Sequence, residues 1–465
     1  MEKPILYEKH VFSNEAFFEK YFALSENLEH HILLESGRAG RYSIAGLRPF
    51  AVISGDSEGI KISQGDQESF FIGEPLAELE NWMSQFSFPR QPNLPDFQGG
   101  VIGYISYDYG QFIEDLPDLA ADDLQLPVIY FLAFDEWVVF DHEKNCLWFM
   151  VLNRDGANEK LANLKKQWLT AESEQEVPIV DLPINQELHV SFTEEKFIEA
   201  VQKTQAYIKA GDVFQVNLSV RQSRKSPARP IEVYKELRKL NPSPYMGYVH
   251  TPEFQIVSGS PELLIKKDGT LVSTRPIAGT RPRGLDDQED IKLANELIEN
   301  EKERAEHIML VDLERNDLGR VCQFGTVQVD EFMTVEKYSH VMHIVSHVSG
   351  KLAEEKSPVD LIEAVFPGGT ITGAPKIRTL EIIEELEPVK RGIYTGSLGW
   401  IGFNNDLELN IVIRTMLVQN EMCHVQAGAG IVIDSNPESE YQESLKKAEA
   451  LWRALEAVEK RGRND

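Results

Sequence analysis

The sequence predicts a mixed α+β (α/β) fold: a smaller β-rich N-terminal unit, residues 1–170, and a larger α/β unit, residues 190–460, sharing one sandwich of sheets. Three observations point there. Apolar runs bounded by Gly, Pro and Asp crowd the first 150 residues. Strand and helix periods mix after residue 190. Between them, TAESEQEVPIVDLPINQELHV (170–190) is acidic, proline-interrupted and follows neither period, as a linker does.

In chain order, HHILLES (30–36), AVISG (51–55), GGVIGYISYDYG (99–110) and VIYFLAFDEWVVF (128–140) read as strands. The last is the most apolar stretch, but Asp135 and Glu136 interrupt it and it is too short to span a bilayer. SFTEEKFIEAVQKTQAYIKAG (191–211) predicts a helix: Thr193 can cap it, acidic residues fill its first turn, Phe197, Val201 and Ile208 share a face, and Gly211 ends it. Residues 287–317 predict one long charged helix. DLIEAVF, APKIRTLEIIEELE and PESEYQESLKKAEALWRALEAVEK add further helices, with strands at GIYTGSLGWIGF, LELNIVIRTMLVQ and MCHVQAGAGIVID. The run IVIRTMLV is expected as a strand covered on both faces.

Composition narrows the function. The 465 residues include 47 basic and 75 acidic side chains, a net charge of −28 that repels nucleic-acid backbones and anionic lipid surfaces. Neither partner is therefore expected. Cys146, Cys322 and Cys423 are too few and scattered for a disulfide framework or a zinc site. The N-terminal MEKPILYEKHVF lacks the apolar core of a signal peptide, so a soluble cytoplasmic protein is expected.

Several constellations could carry chemistry. Glu303 and Glu306, and again Glu440 and Glu443, stand three apart on predicted helices, so each pair shares a side. Two such pairs facing each other would repel unless a hard cation such as Mg²⁺ lay between; otherwise they are solvated faces of acidic helices. FPGGTITGAPK (366–376) and RPIAGTRPRG (275–284) could cradle an anion with backbone N–H groups, Lys376 adding charge to the first, or could simply be packed loops. In QAGAGIVID (426–434), Gly428 and Gly430 permit a ligand's close approach. His340 and His343 offer acid–base or packing roles. Arg414, inside an apolar strand, needs either a substrate carboxylate or a buried acidic partner from the protein.

Taken together, GDVFQVNLSVRQ (211–222), NPSPYMGY (241–248), SGSPELL (258–264), RPIAGTRPRG, ERAEHIMLVDLERNDLGRV (303–321), EKYSHVMHIVS (336–346), FPGGTITGAPK and QAGAGIVIDSNPESEYQES resemble the chorismate-binding enzymes, densely over residues 190–455. LLES (33–36) and GRYSIAG (40–46) resemble the N-terminal parts of the anthranilate and aminodeoxychorismate synthase branches. The resemblance implies an anthranilate-synthase-like large β-sandwich with helices outside. The family's isochorismate and salicylate synthases carry a water-activating lysine where this chain has Gln215, so amination rather than hydroxylation is implied. The asparagine of QVNLS, the glutamate of LERND and the wording FPGGTITGAPK resemble the aminodeoxychorismate branch. Ala278 departs from it: many such enzymes have a lysine there, proposed to attack chorismate, and alanine is the anthranilate-synthase-like version. Anthranilate synthase component I is thus the alternative.

By the same resemblance, Glu306 and Glu443 would bind Mg²⁺, with Glu303 and Glu440 holding its waters. Gly279, Thr280, Tyr394, Arg414 and the Gly428–Ala429–Gly430 backbone would hold chorismate, with Thr370 and Lys447 nearby. Glu262 matches the general acid that protonates the departing C4 hydroxyl, His343 the site histidine, and Gln215 the catalytic position just described. Ser36, Pro244, Tyr245 and Met246 match the family's tryptophan pocket. No cysteine sits in a glutaminase nucleophile motif, so a separate glutamine amidotransferase subunit, forming a heterodimer that delivers ammonia, is expected.

Overall fold

In a computed structural model, residues 3–36, 40–172, 187–337 and 341–461 are described. The linker at 170–190 falls mostly outside them, as does His340. Two large antiparallel sheets form the frame. The first runs, in spatial order, Ile5–Val11, Cys146–Leu152, Glu136–Asp141, Tyr42–Gly46, His31–Ser36, Tyr245–His250, Gln255–Ser260, Thr415–Gln419, Met422–Ile431, Gln215–Lys225 and His189–Val190. The second runs Ile277–Pro282, Val341–Lys351, Leu271–Thr274, Leu263–Asp268, Leu407–Ile411, Ser397–Gly402, Gly100–Ile105, Ile129–Phe134, Ala51–Gly55, Gly59–Gln64 and Gln67–Ile72. In each sheet, strands from before residue 170 occupy one half and strands from after it the other, joined at the pairings Leu34↔Gly247 and Gly103↔Gly399.

The sheets face each other through one core, where Ile32, Ile44, Trp137 and Met150 of the first meet Ile53, Ile102, Phe131 and Leu409 of the second. Helices Asn14–Ser25, Ala157–Thr170, Pro230–Leu240 and Glu449–Arg461 cover the outer face of the first sheet around Phe17, Trp168 and Tyr248. Helices Glu194–Ala210 and Lys376–Leu386 cover its far end. The mixed sandwich with helices outside is therefore the observed architecture. The helix expected after Ser191 spans Glu194–Ala210, with the Thr193 hydroxyl accepting from Lys196 N–H and Gly211 in the left-handed conformation at φ 85°.

Three elements differ from expectation. Residues 287–317 form two helices, Asp287–Glu299 and Glu301–Gly319, because Asn300 leaves helical backbone and its side chain caps the second by accepting from Glu303 N–H. The apolar run at 128–140 is two strands in different sheets, turning at Asp135. IVIRTMLV is likewise not one strand: Leu407–Ile411 lies in the second sheet and Thr415–Gln419 in the first. Apolar composition concealed both breaks, since a chain passing from sheet to sheet stays buried throughout.

Candidate active site

The breaks place the site. Where Leu407–Ile411 gives way to Thr415–Gln419, Arg414 adopts a positive φ of 52°. Beside it, Gln255–Ser260 of the first sheet gives way to Leu263–Asp268 of the second, and Glu262 stands at that crossover. The Gly259 N–H donates to the Arg414 carbonyl (3.0 Å) and the Ile411 N–H to the Glu262 carbonyl (3.0 Å), so the two crossings run side by side. This is how an arginine and a glutamate come to be set deep between sheets without interrupting a ladder.

Glu262 is 6% exposed, and its Oε1 has no hydrogen-bond partner. Burial pushes its carboxyl up to about 7, only partly offset by the Thr370 hydroxyl and the Ile277 N–H nearby. A carboxyl poised near neutrality can hold a proton and release it. Arg414 donates to the Lys447 carbonyl (3.3 Å) and makes no ion pair among the described residues. Burial draws its pKa down, while Tyr394 and Glu443 act in the opposite sense. A guanidinium left without a carboxylate of its own favours an external one. Tyr394 is itself buried, against Arg391 and Arg414.

Helix Glu301–Gly319 forms one wall. Glu306 lies 3.5 Å from the Gln215 amide, Gln215 Nε2 donating to its Oε1. Burial and then the neighbouring Glu303 raise the Glu306 carboxyl, while Gln215, Lys302 and Lys447 act to lower it. Glu303 accepts from Arg281 (3.0 Å). Gly279 has φ +63°, and a Cβ there would meet Glu303 Oε2 at 2.6 Å, so only glycine fits. His343 donates through Nδ1 to the Gly279 carbonyl (2.9 Å) and stands 3.1 Å from Thr280 Oγ1. Burial lowers the pKa of His343, and Arg414 lowers it further.

The opposite wall is helix Pro437–Lys447 packed on strand Met422–Ile431. Lys447 Nζ bonds the Gly428 carbonyl (2.9 Å) and pairs with Glu443 (2.8 Å). At Gly430 a Cβ would lie 2.4 Å from the Gln215 amide nitrogen, so the missing side chain is what lets Gln215 lie across the strand, with Ala429 between the two glycines fully buried. Lys447 pairs with Glu443, and its charge is the smallest of the influences that lower the Glu306 carboxyl. Glu440, one turn before Glu443, makes no side-chain bond or ion pair among the described residues.

A metal fits the chemistry of this set. The donors are carboxylate oxygens, the hard ligands Mg²⁺ takes, and Glu306 is raised first by burial and then by the neighbouring Glu303 carboxylate. As placed, Arg281 and Lys447 occupy Glu303 and Glu443, and no three acidic, histidine or cysteine side chains among the described residues close on one point. Lys376, expected to help an anion, instead bonds buried Asp317 (2.6 Å) and the Val365 carbonyl (3.1 Å). The charge is spent inside the fold.

Two features were not anticipated. Arg391 donates to Glu387 (2.7 Å), the Ile371 carbonyl (3.1 Å) and the Asn217 carbonyl (2.7 Å), tying the 366–376 loop to strand Gln215–Lys225. Its i, i+4 spacing from Glu387 was the available signal. The face of helix Glu301–Gly319 also continues inward from Glu303 and Glu306 to Glu314 and Asp317, each 3% exposed. Separately, Ser36, Pro244 and Tyr245 line a cavity of about 340 Å³ with Arg41, Arg275 and Trp400, and Met246 borders a smaller neighbouring one. None of the side chains placed above in the two walls lines it. Among the described residues, no helix is long and apolar enough to cross a membrane.

Residues 29–453 match the family described as chorismate binding enzyme. The chain is 53% identical over 461 residues to aminodeoxychorismate synthase component 1 of Bacillus subtilis, covering 97% of each. It is 45% identical over 452 residues to anthranilate synthase component 1 of Thermus thermophilus, covering 94% of this chain and 95% of that one. Among solved structures, anthranilate synthase component I from Streptococcus pneumoniae superposes with a TM-score of 0.80 at 34% identity, covering 89% of this chain and 92% of the other. The isochorismate synthase MenF of Escherichia coli shares the fold at a TM-score of 0.74 and 18% identity, covering 97% and 94%.

Proposed function

This chain belongs to the chorismate-binding enzymes, and we propose that it is an aminodeoxychorismate synthase component 1, replacing the C4 hydroxyl of chorismate with ammonia to give 4-amino-4-deoxychorismate on the route to 4-aminobenzoate and folate. The observation that carries the reading is Gln215. Its neutral amide lies on Glu306, at the position where the water-using branches of the family are expected to have a base. With no base there to deprotonate water, ammonia, already a nucleophile, is the better attacker. The 53% identity to the Bacillus subtilis aminodeoxychorismate synthase supports the same choice.

The geometry supports the following roles. Arg414 offers an uncommitted guanidinium to one carboxylate of the substrate, beside Tyr394, with the Gly428–Gly430 backbone, Gly279 and Thr280 lining the approach. Glu262 gives its proton to the departing hydroxyl, which leaves as water. Its apolar surroundings keep that proton in place until it is needed. His343 is held by the Gly279 carbonyl through Nδ1 and is the site histidine in this reading. Mg²⁺, when bound by Glu306 and Glu443 with Glu303 and Glu440 around it, would neutralise a substrate carboxylate and the charge that develops there. Ala278 is buried and carries no amine, so direct attack by ammonia fits better than a lysine adduct.

Ammonia would come from a glutamine amidotransferase subunit bound to this chain. Component I of anthranilate synthase is the second reading, favoured by Ala278. Product analysis of chorismate with Mg²⁺ and ammonium separates them. The proposal expects no pyruvate, and 4-aminobenzoate only after a lyase is added; fluorescent anthranilate with stoichiometric pyruvate would overturn it.

A further inference from the structure

Arg391 belongs to neither wall of the site, yet its bonds end beside residues on both sides of the reaction. It is 2% exposed and commits all five of its guanidinium N–H groups. Nε donates to Glu387 Oε2 (3.0 Å), and Nη2 to Glu387 Oε1 (2.7 Å) and the Asn217 carbonyl (2.7 Å). Nη1 donates to the Ile371 carbonyl (3.1 Å) and to Thr395 Oγ1 (3.2 Å). Asn217 stands two positions after Gln215 on strand Gln215–Lys225. Ile371 directly follows Thr370, the neighbour of Glu262, in the 3₁₀ turn Gly369–Ile371. Glu387 is itself fixed to the strand, accepting from Ser219 N–H (2.8 Å) and Ser219 Oγ (2.9 Å). Strand and turn also meet directly, where the Asn217 N–H donates to the Thr372 carbonyl (2.9 Å). On its other side the turn is pressed against helix Glu301–Gly319, since a Cβ on Gly369 would overlap Leu313.

Resting on the reading that puts Gln215 on the ammonia side and makes Glu262 the proton donor, we propose that Arg391 is a positioning residue. It sets the spacing between the strand that carries Gln215 and the turn that carries Thr370, and so between the attacking and the departing side of the substrate. A displacement of about 1 Å can cost on the order of 10²-fold in rate. A planar fork that grips one carbonyl on each element, with its other donors committed to Glu387 and Thr395, removes that freedom. A lysine ammonium, a point charge on a flexible stem, cannot hold the same four partners. Arg414 and the Gly428–Gly430 backbone, the groups assigned to the substrate carboxylate, receive no bond from Arg391. The Tyr394 ring, 5.5 Å from its guanidinium, would still face a cation in a lysine variant. The role therefore bears on kcat rather than on KM.

Chorismate consumption, whatever the product, tests this in two variants. Arg391→Lys keeps a cation for Glu387 but loses the fork; Arg391→Gln/Glu387→Gln leaves no buried charge unpaired. Rates are taken per folded molecule, counted from the stoichiometry of chorismate binding in calorimetry. Each variant should lose about 10- to 100-fold in kcat with the chorismate KM unchanged. Parental kcat in either folded variant overturns the proposal, as does a loss that falls on KM alone. A second readout needs no turnover. Hydrogen exchange at the amides of 215–219 and 369–374 should quicken in both variants, and unchanged protection there also overturns it. A parent protein that leaves chorismate untouched, while its variants lose that protection, would count against the functional reading alone.

Discussion

Lys447 stands 2.8 Å from Glu443 on its own helix and also exerts its charge on Glu306 across the site. The ammonium is held by Glu443 and the Gly428 carbonyl, and its influence on Glu306 is smaller than those of Gln215 and Lys302.

Glu306→Gln is expected to abolish Mg²⁺ activation. Chelation by EDTA should stop chorismate turnover in the parent protein, with Mg²⁺ restoring it. In Glu306→Gln and Glu443→Ala, Mg²⁺ should fail to restore it, as coupled absorbance assays of chorismate loss would record. Equal rates with and without chelator would contradict the carboxylate assignment.

Glu262→Gln should lower kcat by about 10²- to 10⁴-fold, the usual contribution of a general acid, with little effect on KM. The pH dependence follows from the raised carboxyl at about 7. The protonated form is the active one, so the rate per unit of free ammonia is full below that pH and falls as pH rises through it. A rate that climbs through the same range would exclude Glu262 as donor.

Arg414→Gln should raise the chorismate KM about 10- to 100-fold, on the order of 1.5–3 kcal/mol for a lost charged hydrogen bond. Folding stability should hold or improve, because the guanidinium is buried without an ion pair. Isothermal calorimetry and denaturant titration separate the two effects.

Arg391→Ala acts oppositely. Its guanidinium pairs with Glu387 where both side chains are at most 3% exposed. Removal leaves a buried carboxylate short of a partner, at a cost of roughly 3–5 kcal/mol. Denaturation midpoints should fall well before any specific effect on KM is visible.

Much of the frame was legible because periodicity and capping are local. Thr193, Gly211 and the strands His31–Ser36 and Ala51–Gly55 read correctly from neighbouring residues alone. The crossings at Asp135 and Arg414 were not legible, since a strand that changes sheets keeps an unbroken apolar sequence. Glu303 and Glu306 could be paired on one helix face by spacing, but that the Gln215 amide lies on Glu306 from a distant strand depends on tertiary placement. Lys376 shows the converse: a lysine beside a glycine-rich loop suggests an anion, yet its partner is Asp317, 59 positions earlier.

The central claim is that Glu306 and Glu443 together hold a divalent cation against the substrate. Electron paramagnetic resonance of Mn²⁺ in the presence of chorismate addresses it directly. The account predicts a bound signal in the parent protein that is lost in both Glu306→Gln and Glu443→Ala. A signal of unchanged affinity in either variant would contradict it.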